Sequence, residues 1–264
     1  MKTELTTKKF GRTAMKERIG EVNYNTKGSK MKILDYKTSK NVTVIFENGY
    51  ISQGDYKEFK KGDIKSPYDK SLYNTGYLGE GKYICSKNSK FSNQYIYWSL
   101  MIKRCYSEVL HKKRPTYIGC TVCDEWHNFQ NFGKWYDENY YKIEGCKMQL
   151  DKDILFKGNK IYSPENCVFV PSNINTLFIK CDSARGEYPI GITFNKREQI
   201  YVAQCKNKNG KRVIGKFLNP NIAFYEGYKP FKESYIKEIA EECKSQIPQN
   251  LYEAMYKYIV EITD

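Results

Sequence analysis

The apolar positions of this chain change their period along its length. Between residues 18 and 65 they come in short runs, over 31–36 and 42–47, separated by a polar turn, and Glu47-Asn48-Gly49 marks the next turn. Runs rich in β-branched residues and bounded by Asn and Gly predict strands joined as hairpins, in a small barrel or meander. The stretch Lys65–Gly81, rich in Gly, Pro, Ser and Asn, reads as a linker that ends this module.

From residue 93 the spacing becomes helical. Trp98, Met101, Ile102, Cys105 and Val109 recur every three or four positions and predict a helix over 93–110. A second helix over Glu125–Asn139 would turn Trp126, Phe129 and Trp135 inward. Met148–Leu155 then reads as a strand, Lys157-Gly158-Asn159 as a turn and Cys167–Val170 as a second strand. SNINTLFIK, opened by Pro171, reads as a short helix. Beyond residue 186, GITFNKREQIYVAQCKNKNGKRVIGKFL gives three short strands, with Asn207-Lys208-Asn209-Gly210 as the second turn. A helix over Ile222–Cys243 carries the stripe Phe231, Tyr235, Ile239 and Cys243, with a kink expected at Pro230. A last helix after Pro248 carries Leu251, Met255, Tyr258 and Ile262. The fold class expected is α+β: a small basic β module (1–70), a central ββα unit with flanking helices (71–185), and a three-stranded sheet with helices (186–264).

Composition narrows the function classes. The 264 residues are 40% hydrophobic, which places the chain among globular proteins. No apolar run approaches the ~20 residues of a membrane span. The N-terminal stretch lacks the apolar core of a secretion signal, so the expected location is the cytoplasm, with the nine cysteines reduced. The net charge of +14 favours an anionic partner, nucleic acid first. Lysine (37) far exceeds arginine (7), as in A/T-rich coding sequences, so the clustering of charge is more telling than its total. Residues 1–70 hold half of the excess. Residues 196–216 hold seven basic side chains and one acidic, whereas 226–264 hold eight acidic and five basic. The last sheet is therefore expected to be a positive face and its helices a negative one.

Two stretches resemble known families. YIYWSLMIKRCY, PTYIGCTVCDEWHNFQNFGKWY and LDKDILFKGNKIYSPENCVFVPSNIN, within 95–180, resemble bacteriophage HNH-type (ββα-metal) endonucleases. GITFNKREQIYVAQ, GKRVIGKF and the helix after Pro220, within 190–243, resemble the plant ethylene-response-type DNA-binding domain. The first resemblance implies Asp151 as a metal ligand, Lys152 in the place of the general-base histidine, Asn166 as the loop residue that holds the base, and Asn175 (or Asn173) as a second ligand. Magnesium or manganese would be the cofactor, since hard cations take carboxylate and amide oxygens. The second implies a sheet that docks on DNA through Arg197, Tyr201, Lys206, Lys208, Lys211, Arg212 and Lys216, with lysines on phosphates and arginines on guanine. Arg104 is a further candidate phosphate contact.

Lys152 divides the functional readings. A general base should titrate near the working pH; histidine does so at ~6.5, lysine near ~10.4. Neutral lysine at pH 7 would need a shift of roughly three units, about 4 kcal/mol, and Asp151 and Asp153 beside it push the other way. Of the two histidines, His127 is a better substitute base than His111. Cys120-x-x-Cys123 has zinc spacing without a second pair, so buried thiols are expected there rather than zinc. Two readings stand. One is a metal-dependent DNA endonuclease with a degenerate site. The other is an inactive phage protein that binds DNA (RNA second), or that blocks a nucleic-acid-guided host defence nuclease in an anti-CRISPR-like manner. Neither involves a membrane.

Overall fold

In the computed structural model, which describes residues 17–179, 186–208 and 210–264, the first apolar runs form an antiparallel meander in the order β1 (Val22–Tyr24), β2 (Lys30–Thr38), β3 (Asn41–Phe46) and β4 (Ile51–Gly54). It is an open sheet. One face buries Met31, Ile33, Tyr36, Val42, Val44 and Phe46 against Phe59 and Ile64. Phe59 sits on the helix Tyr56–Lys61, whose start is fixed by a capping box between Asp55 and Glu58. The stretch read as a linker is pinned to this module at its start. Asp69, almost fully buried, accepts from Asn25 Nδ2, Ser29 Oγ and the Ser66 amide. Farther on, Tyr77 exchanges backbone hydrogen bonds with His127 and Phe129. Gln130 fastens Leu78 and Tyr83 through their backbones. Buried polar groups need partners, and these side chains supply them where secondary structure does not.

Contacts divide the chain into two compact units, one ending at Asp137 and the other starting at Glu138. The first also contains the hairpin β5 (Ser86–Lys87) and β6 (Lys90–Phe91), the helix Asn93–Tyr106, and strand β7 (Thr121–Val122). Trp98, Met101, Ile102 and Cys105 are buried as the spacing predicts, but Val109 is 67% exposed. Ser107 interrupts the helix and caps a new one, Glu108–Lys113, by accepting from the Leu110 amide, and this resets the face. The second predicted helix is likewise split, into a 3-10 turn over Asp124–His127 and a helix Phe129–Asn139. Trp98 Nε1 donates to the Trp126 carbonyl at 2.7 Å across this aromatic core.

In the second unit β8 (Met148–Asp151) pairs antiparallel with β10 (Val168–Pro171), with β9 (Ile161–Tyr162) between them in sequence. One α-turn, Ser172–Asn175, and one 3-10 turn, Thr176–Phe178, follow. The strand–strand–helix order is as expected, but β8 stops at Asp151 rather than Leu155. The last sheet has the order β11 (Ile192–Asn195), β12 (Ile200–Asn207), β13 (Gly210–Phe217). Its long helix begins at Pro220, passes through a π-helical stretch Ala223–Tyr228, and continues as Lys229–Cys243. The irregularity expected at Pro230 thus appears as a wide turn just before it, where a proline ring would crowd the carbonyl four residues back. Ala223, Phe224, Ile236 and Ala240 are the helix's deepest residues; Phe231 and Cys243, from the predicted stripe, are partly buried. Ile154, Val168, Val170 and Ile174 of the ββα hairpin share one core with this sheet and its helices, including Leu251 and Met255 of the helix Gln249–Tyr256. Among the described residues no helix is long and apolar enough to cross a membrane.

Candidate functional site

Alternation along β8 buries Met148 and Leu150 and leaves Gln149 and Asp151 together on the other face. Asp151 then ends the strand. Its Oδ1 accepts from the amides of Asp153 (2.9 Å) and Ile154 (2.8 Å), bending the chain away from the ladder. Burial pushes the Asp151 carboxyl up to about 6, and the neighbouring Asp153 carboxylate adds to the rise. A carboxyl raised in the folded state contributes stability that is complete below its ordinary value of 3.8 and is lost as pH climbs through about 6. Asparagine keeps the accepting oxygen and removes the charge. Asp151→Asn is therefore expected to be more stable than wild type at pH 8 by about 3 kcal/mol, with the difference vanishing near pH 4. Urea unfolding at the two pH values measures this; equal stabilities at pH 8 would show that the charge is not strained.

Lys152, the next residue, is buried, 8% exposed. Its Nζ donates to the Asn159 carbonyl at 3.0 Å and lies 3.3 Å from Asp153 Oδ2, above the Tyr162 ring. It therefore does not present itself to a phosphate at the surface. Asn159, read from sequence only as a turn residue, is the centre of the loop. Its Nδ2 donates to the carbonyls of Lys152 (2.6 Å) and Ile161 (2.8 Å), and its Oδ1 accepts from the Ile161 amide. Asn166 reaches Asn159 Oδ1 and the Ile161 carbonyl at 3.4 and 3.5 Å, so it braces the loop through Asn159. The signal for Asn159 was present in Lys157-Gly158-Asn159: a short amide in a turn commonly bonds backbone two residues on.

Asn175 donates to Gln149 Oε1 at 2.5 Å, and Asn173 is exposed. Of the expected ligands, Asp151 offers Oδ2, since Oδ1 is taken by two amides, and Asn175 offers its side-chain oxygen. That set, with a lysine in place of a neutral imidazole, does not fit a magnesium centre. Among the described residues no three His, Cys, Asp or Glu side chains converge.

The remaining candidates of the central stretch belong to the first unit. His127 Nε2 lies 3.4 Å from Tyr106 Oη and its Nδ1 3.6 Å from Asp124. His111 meets the Arg104 carbonyl. Arg104 lies over the Tyr117 ring at 5.7 Å. Cys120 is buried and Cys123 half-buried.

In the C-terminal sheet, Ala203 and Cys205 face the helix, so Val202, Gln204 and Lys206 lie on the open face. The aromatic rings point inward: Tyr201 packs between Tyr188 and Phe194, at 5.2 and 4.9 Å. Arg212 is paired with Cys205 in register and lies over the Phe231 ring, on the helix side, in a cleft of about 120 Å³ that also includes Tyr235 and Glu238. Lys208 is ion-paired with Glu242 of the long helix and Lys216 with Glu198 at 2.5 Å. The segregation of charge is thus partly neutralised within the unit. Arg197 and Lys206 are exposed. Lys211 pairs with Lys206 in register. Comparison with protein-family models, with curated proteins and with solved structures gives no match.

Proposed function

We propose that this chain binds duplex DNA through the open face of β11–β13 and does not cleave it. The observation that carries this reading is the bonding of Lys152. At the position where an HNH-like hairpin would place its base, a nitrogen committed as donor to Asn159 and Asp153 has nothing with which to take a proton from water. The amide nitrogens of Asn166 and Asn175 likewise bond Asn159 and Gln149. Binding is supported by the net charge of +14 and by Arg197 and Lys206, exposed beside the sheet's polar side chains. The inward turn of Tyr188, Phe194 and Tyr201 favours duplex over single strand, because single-strand-binding sheets offer aromatic rings for bases to stack on.

One observation favours retained metal chemistry. The Asp151 and Asp153 carboxyls crowd each other, and a divalent cation would relieve them. A plasmid-nicking assay with magnesium or manganese, run beside fluorescence anisotropy on a labelled duplex, separates the two. Binding without nicking is expected, with affinity falling roughly fortyfold between about 50 and about 200 mM salt if some three phosphates are neutralised. Metal-dependent nicking that disappears in Asp151→Ala would replace this reading with the endonuclease.

A further inference from the structure

The open face of β11–β13 holds one feature that neither charge nor the basic side chains explain. Gln204 sits on the central strand, between the inward-facing Ala203 and Cys205. The register of β12 against β13 shifts between Ala203 and Gln204, where Ile214 is the extra residue on β13. This bulge brings Val213, rather than Ile214, opposite Gln204, and Ile214 packs against the core. The Gln204 amide nitrogen donates to Thr193 Oγ1 on β11 at 3.1 Å. That bond holds the plane of the carboxamide in place. It leaves Oε1 and the second N–H of Nε2 open, an acceptor and a donor side by side in one plane. Directly across on β13 stands Val213, which is 57% exposed. A carboxamide with a free donor–acceptor pair and an uncovered isopropyl group are thus neighbours at the middle of the sheet.

We propose that Gln204 and Val213 read an A·T base pair in the major groove of the bound duplex. This rests on the duplex-binding reading above and adds a specificity that it does not contain. Adenine presents an N7 acceptor and an N6 donor, matched by the free N–H and Oε1 of Gln204. Thymine presents a methyl group, which suits the exposed Val213. Thr193 is a positioning residue: it holds the plane of the carboxamide where adenine N7 and N6 can pair with it. Lys206 lies two residues along the same strand, and Arg197 lies on the turn between β11 and β12. They supply contacts to the backbone, which position the sheet without regard to sequence.

The test uses the full chain and a library of duplexes randomised over the bound site. Wild type is expected to select A·T at one position, and Gln204→Ala to lose that preference by roughly ten- to hundredfold while other positions change little. Lys206→Ala is expected to weaken all sequences alike. A second readout does not depend on removing the glutamine. Replacing thymine by deoxyuridine at the selected position removes only the methyl, and should weaken wild type roughly fourfold and Val213→Ala hardly at all. Circular dichroism melting of each variant within a few degrees of wild type shows that the sheet is intact. A wild-type protein that binds duplex with no A·T preference, or a Gln204→Ala variant that keeps it, overturns the inference and leaves the binding reading standing. No duplex binding by wild type at low salt overturns both.

Discussion

Gly191→Ala is expected to destabilise the C-terminal unit by about 4 kcal/mol. Gly191 lies just before β11 with φ +77°, a backbone region that costs an alanine roughly 1–2 kcal/mol. A Cβ there would stand 2.0 Å from Cδ2 and 2.3 Å from Cε2 of Tyr228. That ring is 5% exposed and packs beside Phe224, so it has nowhere to retreat, and forcing atoms into a filled core costs a further 1–3 kcal/mol or so. The close approach seats the sheet on the π-helical stretch, where Gly227 likewise lets Ala203 come near. The Gly191 carbonyl also accepts from the Gln204 backbone amide at 2.8 Å, so the same glycine ties the start of β11 to the central strand beside Gln204. Gly158→Ala is the control. It shares the positive φ, at +84°, but has nothing within 4 Å of the new Cβ, and should cost only about 1 kcal/mol. Urea unfolding followed by far-UV circular dichroism compares the two. Equal losses would mean that the Tyr228 contact does not seat the sheet.

Elements with a clear period were legible from sequence; those set by single polar side chains were not. The meander, the Trp98 helix face and the three-stranded sheet follow from spacing alone, since a period of two or of three to four fixes a face wherever one side is buried. The breaks escaped the pattern. Ser107 restarts a helix through one hydroxyl, and Asp151 ends a strand through one carboxylate oxygen. Neither changes the hydrophobic sequence around it. The supposed linker after Lys65 was misleading for the same reason: its Gly, Pro and Ser content is that of a loop, but Asp69 ties it down through partners some 40 residues earlier. Pairings of that range are not encoded locally. At the site, sequence supplied Asp151, Lys152, Asn166 and Asn175 but not the two residues that organise them, Asn159 and Gln149. It also assigned Arg212 and Lys208 to a DNA face, where the register and the helix glutamate give them partners within the unit. The charge tally of a segment says nothing of the β-bulge that turns Arg212 toward Phe231.

Lys152→Met is expected to cost about 3 kcal/mol of stability without abolishing DNA binding. Methionine keeps most of the aliphatic stem among the buried residues, so the loss isolates the ammonium. Removing it leaves the Asn159 carbonyl without this donor, and an orphaned buried acceptor costs roughly 1–3 kcal/mol. It also strips the partner from Asp153, whose half-exposed carboxylate is rehydrated at smaller cost. The loop should loosen where Asn159 stitches it, so amide hydrogen exchange over residues 157–161 should speed up while the β12–β13 ladder stays protected. Lys152→His carries the same reasoning into function. Imidazole is too short to replace the long stem's reach to Asn159, so this variant should lose a similar amount of stability. It should also fail to nick plasmid DNA, because Asn166 and Asn175 remain bonded to Asn159 and Gln149 rather than turned toward a metal and a water. The opposite outcome is equally readable. If Lys152→Met leaves stability and exchange unchanged but weakens duplex binding severalfold, the side chain is a surface phosphate contact. If Lys152→His gains metal-dependent nicking, the hairpin still holds a nuclease centre that lacks only its base.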